Sequence, residues 1–121
     1  MKLFMLLAAV AVATAPAALA KGKVADCVIA ALPGDEVQFQ GKCKFVSEGG
    51  GSFTLMDAAG GNTLYGAVSM VSVYLTGKDT AEVSGLVLDE SGDHDSRWGS
   101  AKRSGLDGAC WEGDDFRVCA W

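Results

Sequence analysis

Histidine is almost missing from this chain, with His94 its only example. One imidazole excludes multi-histidine metal centres and leaves any acid/base chemistry hanging on a single residue. Closely spaced cysteine pairs are also lacking: fifteen residues separate Cys27 from Cys43, and eight separate Cys110 from Cys119. Zinc sites prefer Cys-x-x-Cys spacing, so the four cysteines read as staples rather than ligands. No serine sits in a nucleophile elbow, which removes the commonest sign of a serine hydrolase. The glycine run Gly49-Gly50-Gly51 lacks the Lys-Ser/Thr of a phosphate loop, and the acidic run at residues 89–95 lacks the ligand series of an EF-hand. Long helical periodicity, internal repeats and low-complexity tracts are absent. Beyond residue 20 no apolar segment is long enough to span a membrane as a helix.

What is present begins with a leader. Lys2 precedes an apolar run from Leu3 to Val12, and Ala18-Leu19-Ala20 closes it with small residues, the pattern of a secretory signal peptide cut after Ala20. No cysteine follows that cut, which argues against a lipoprotein anchor. The expected mature chain, residues 21–121, is a single domain destined for the periplasm or for secretion. It keeps all four cysteines and loses one cation, so nine basic residues face fifteen acidic ones for a net charge of −6. That balance argues against nucleic acid and anionic lipid and is compatible with a basic protein partner. An even number of cysteines in an oxidising compartment predicts two disulfides, which a core of this size needs as a supplement.

Period-two alternation dominates the mature part. Residues 24–31 form a short strand, residues 32–35 a turn through Pro33-Gly34, and residues 37–45 a strand with Val37, Phe39, Gly41, Cys43 and Phe45 on one face. A hairpin register then sets Cys27 opposite Cys43 and Ile29 opposite Gly41. Residues 52–56 resume the alternation after the glycine turn. Residues 68–76, apolar at both parities, predict a central strand covered on both sides, and residues 81–88 return from the turn at 77–80. Residues 62–70 leave room for one helical turn.

At the C-terminus, folding ACWEGDDFRVCAW about Asp114-Asp115 sets Cys110 opposite Cys119, Trp111 opposite Val118 and Glu112 opposite Arg117. Four cysteines allow three connectivities, and the two hairpin registers favour Cys27–Cys43 with Cys110–Cys119. The fold class is therefore mainly β, a small antiparallel barrel-like sheet or a sandwich, with two hairpin disulfides.

Function is less legible. The most polar stretch, DESGDHD, reads as a solvated loop holding Asp89, Glu90, Asp93, His94 and Asp95, and Arg97-Trp98 follows it. Acidic side chains beside an arginine and a tryptophan suit a protein-binding surface, because tryptophan and arginine dominate binding hot spots. These seven residues are the candidate partner site. No catalytic residue, metal ligand or cofactor is expected. A wider tract, Arg97-Trp98, Lys102-Arg103, Trp111, Arg117 and Trp121, interleaves cations and rings, and its simplest reading is tryptophans filling the core with arginines stacked over them.

The segments GKCKFVSEGGGSFTL, SVYLTGKDTAEVSGL and SRWGSAKRS with ACWEGDDFRVCA resemble an uncharacterised group of small exported alphaproteobacterial proteins. That resemblance implies an envelope or extracellular location and assigns no activity. In size, acidity, export and stapled β-structure the chain is more loosely similar to periplasmic lysozyme inhibitors, whose Ser-Gly-x-x-Tyr-like loop has a partial counterpart in Ser91-Gly92 and Trp98. Three functions follow as expectations: a non-enzymatic exported protein with a binding or structural role, an inhibitor of a basic enzyme such as lysozyme, and a small hydrolase using His94.

Overall fold

The computed structural model describes residues 22–121; the expected leader, residues 1–20, lies outside them. Eight strands follow in chain order: β1 (Lys23–Ala31), β2 (Glu36–Gly49), β3 (Ser52–Asp57), β4 (Val68–Leu75), β5 (Thr80–Asp89), β6 (Gly92–Arg103), β7 (Cys110–Glu112) and β8 (Phe116–Ala120). Each pairs antiparallel with the next and β8 pairs back on β1, so the sheet is a closed up-and-down barrel and not a sandwich.

Eight strands enclose an interior just wide enough for side chains to fill. The alternating inward positions supply them: Cys27, Ile29, Cys43, Leu55, Val71, Val73, Val83 and Val118 are each at most 2% exposed. Closure also requires the strands to bend. Register shifts at Ile29/Ala30, Ser47/Gly49, Val68/Met70 and Val83/Ser84 supply local bulges that turn the sheet around its axis.

The C-terminal hairpin pairs as expected, Cys110 with Cys119, Trp111 with Val118 and Glu112 with Arg117. The first hairpin is slipped by two residues from the expected register, with Ala25 opposite Cys43, Cys27 opposite Gly41 and Ile29 opposite Phe39. A two-residue slip keeps every side chain on its face. The Cys27–Cys43 disulfide therefore forms diagonally, across a Cα separation of 5.9 Å. It lies inside the barrel, in one packed cluster with Leu55, Val71 and Val118. The Cys110–Cys119 bridge lies on the outer face, because its neighbours Trp111 and Val118 take the inward positions.

Three further expectations are corrected. The strand β4 is covered on one side only: Val71 and Val73 are sealed in the core while Tyr74 is 67% exposed, since a small barrel has no second layer to cover its outside. Residues 89–95 are not a loop; the strands run to Asp89 and from Gly92, leaving only Glu90 and Ser91 as the turn, with Asp93, His94 and Asp95 paired to Leu88, Val87 and Leu86. The segment before β4 contains no helix. A bridge between Tyr65 and Val68 makes a tight reversal there, and it tucks Leu64 into the core.

Candidate functional site

In an up-and-down barrel, connections alternate between the two ends. The β1–β2, β3–β4 and β5–β6 connections thus share one end and carry Asp35 and Glu90 with no lysine or arginine, while the turn after the short β7 sits lower on the wall, Asp115 beside Trp98 and Asp114 in a cleft with Thr76, Thr80 and Lys102. Glu36, Asp57, Asp89, Asp93 and Asp95 lie on the adjoining strand segments, with one cation, Arg117 at the start of β8, paired to Asp35. The opposite end mixes signs, with Lys78, Asp79 and Asp107 in its connections and Lys23, Lys102 and Arg103 at its strand ends. Closing the barrel therefore sorts the negative charge to one end, although the sequence spreads it along the chain.

The β5–β6 hairpin at this end stays paired down to Asp89 and Gly92. Its turn is closed by Asp89, whose Oδ1 accepts bonds from the Ser91 amide at 2.8 Å and the Ser91 hydroxyl at 2.7 Å. Those bonds, with a smaller contribution from His94, hold the Asp89 carboxyl below the usual aspartate range. The other oxygen, Oδ2, lies 3.3 Å from His94 Nε2. The order is hydroxyl, carboxylate, imidazole. A serine-hydrolase triad needs the imidazole in the middle to take the serine proton, so this cluster is a turn lock and not a nucleophile.

Beyond the tip the candidate residues part company. Arg97 pairs opposite Ser84, Gly99 pairs opposite Val83, and Trp98 is the extra residue of the bulge between them. Gly99 takes φ +121°, a conformation that side chains disfavour and that permits this kink. The consequence is that Arg97 points outward, where its Nη2 reaches Glu82 at 3.1 Å, while Trp98 turns toward the barrel interior. Glu82 also accepts from the Ser100 hydroxyl, and the two bonds hold its carboxyl below the usual range. Trp98 packs over Gly85, where a Cβ would come within 3.1 Å of the indole nitrogen, and meets Phe116 of β8 edge-on at 5.6 Å.

That contact marks a notch in the wall. The strand β5 pairs with β6 from Gly92 to Lys102, but β7 pairs with only Lys102 and Arg103 on the other side. From Gly92 to Ala101 the second edge of β6 carries no ladder partner among the described residues. A cup of about 290 Å³ opens in the gap, walled by Trp98, Phe116, Tyr65 and Ile29, with Gln38 and Asp115 at its lining. Tyr65 is stacked on Phe39 at 6.2 Å, and burial pushes its hydroxyl above the ordinary pKa of 10.0. The volume sits at the bottom of the range for ligand pockets, enough for one long side chain.

Asp89, Glu90, Asp93, His94 and Asp95 thus share the hairpin tip, Trp98 walls the cup, and Arg97 turns to Glu82 on the outer face while also contributing to the cup's lining. Tyr65, Gln38, Phe116 and Asp115 were not legible as site residues; only the pairing of Trp111 with Val118 gave a signal, by placing Phe116 on the inward face. The wider cation and ring tract disperses. Arg103 stacks on the buried Trp111 at 4.3 Å, Arg117 pairs with Asp35, and Trp121 donates to Asp107 at 3.0 Å. Among the described residues no group of three histidine, cysteine, aspartate or glutamate side chains converges to hold a metal ion. No family model, curated protein or solved structure matches the chain.

Proposed function

We propose that the mature chain is an exported, non-enzymatic binding protein, periplasmic or secreted, that engages a basic protein partner through the acidic end of its barrel. The observation that carries this reading is an aromatic cup with Asp115 at its lining, next to acidic connections that carry Asp35 and Glu90. Carboxylates around the opening raise the local concentration of a cationic partner and orient it, while the rings supply desolvated contact. Two disulfides fit an oxidising compartment and the leader supplies the route to it.

Inhibition of a basic enzyme such as lysozyme is the more specific form. It is favoured by the β5–β6 hairpin, which stays strand-paired up to a two-residue turn and so presents its carboxylates on a stiff support. Surface plasmon resonance against lysozyme as a basic probe tests both forms. The on-rate is expected to fall about tenfold as salt shortens the Debye length from roughly 30 Å to below 10 Å. It should fall by a similar factor in Glu90→Gln, Asp93→Asn, Asp95→Asn, Asp115→Asn at constant low salt. An unchanged on-rate in that variant rejects the acidic end as the binding face. Binding without protection of the cell-wall substrate retains the general reading and rejects inhibition.

A further inference from the structure

We infer that the open edge of β6 accepts an extended cationic segment of a partner protein as an added strand, with one lysine or arginine side chain filling the Trp98 cup. The inference rests on the acidic-end reading and specifies how that end is used. A strand without a ladder partner presents a row of unmet amide and carbonyl groups, and a peptide backbone is the ligand that satisfies such a row. Here β7 ends after three residues while β6 runs for twelve, so the row is set by the pairing and not by a frayed terminus.

The charge around the edge selects the occupant. Asp93 and Asp95 project outward from β6, Asp89 and Glu90 close the tip, and Asp115 lies across the gap. The only cation on the open stretch, Arg97, is held on the outer face by Glu82. Such an edge repels a second copy of this acidic chain, which is one way an exposed strand avoids self-association, and it attracts a strand of opposite sign. Side chains of an added strand alternate, so one set faces the barrel interior. At the level of Trp98 that set meets rings of tryptophan, tyrosine and phenylalanine with Asp115 and Arg97 at the lining; the Arg97 guanidinium is drawn off to Glu82, which leaves the rings and the Asp115 carboxylate to suit a guanidinium or ammonium group on an apolar stem. The fold already stacks Arg103 on Trp111 in this way.

The probe is a synthetic peptide alternating lysine with valine, titrated into the full mature protein by calorimetry. A second peptide of the same sequence is N-methylated at alternate residues, which removes backbone donors and keeps the charge. The expected result is micromolar binding of the first and at least about tenfold weaker binding of the second when methylation falls on the pairing side. Equal affinity of the two peptides overturns strand addition while leaving the acidic end as the binding face. Loss of all cationic binding overturns both. Trp98→Ala is expected to weaken the lysine peptide about tenfold, and to leave unchanged a peptide with alanine at the cup position; equal losses for both peptides reject occupation of the cup. Amide hydrogen exchange gives a reading that needs no variant. The peptide should slow exchange at alternate residues between Asp93 and Gly99, and unaltered exchange there contradicts the proposal.

Discussion

Replacing Cys27 and Cys43 together by alanine is expected to lower the melting temperature by on the order of 12 to 24 °C, whereas the same change at Cys110 and Cys119 should lower it less. The inner bridge spans 16 residues. Loop closure alone assigns it about 3 kcal/mol, which in a domain of this size corresponds to roughly 4 to 8 °C per kcal/mol. Both sulfurs also lie in the sealed interior, with Cys27 1% and Cys43 0% exposed, so their removal leaves a void among Ile29, Leu55 and Val118 that the barrel wall cannot collapse to fill. The outer bridge spans nine residues and stands apart from that cluster. Its hairpin retains the Trp111–Val118 pair when the bridge is cut. Thermal unfolding of the two double variants by circular dichroism checks the order; a larger loss at the outer bridge contradicts the assignment of faces.

The second large effect is expected at Trp111. It is 2% exposed, packs inward from the shortest strand and supports the Arg103 guanidinium at 4.3 Å. Trp111→Ala should cost roughly 3 to 5 kcal/mol, the range for a buried aromatic, and should loosen the two-residue seam that joins β7 to β6. Trp121→Ala, at a residue 55% exposed, should cost less than about 1 kcal/mol. Denaturant titration of the two variants measures the contrast. Near-equal midpoints would place Trp111 outside the core.

Local periodicity made most of the strands legible, because inward positions recur every second residue and the turns carry glycine, proline or aspartate. The C-terminal hairpin was legible to the pair, since charge, sulfur and ring complementarity all selected one register. The first hairpin was not, because registers two apart place the same residues on the same faces and the bulge at Ile29/Ala30 has no local signature. Closure of β8 on β1 is a pairing between the first and last strands of the described residues, and no neighbouring residues announce it. The same reason hid the site. Asp115 read only as a turn residue, and it comes to lie beside Trp98 only once the closed barrel brings β8 across the gap from β6. Arg97 and Trp98, adjacent in sequence and grouped as one surface, separate because a bulge falls between them.

This sorting gives the protein its polarity. A sealed interior stiffened by one disulfide holds the wall in place, and a second disulfide fixes the short hairpin whose brevity opens the notch. In the proposed function, stability and binding thereby fall to different parts of the same barrel.

The most direct measurement is a nuclear magnetic resonance titration of the isotope-labelled mature protein with lysozyme at low salt. The expected result is shifts of the Trp98 indole resonance and of the amides of Asp89, Glu90, Asp93, Asp95 and Asp115, with Trp121, Leu106 and Lys78 at the opposite end unmoved. Shifts confined to that opposite end, or none at all, would contradict it.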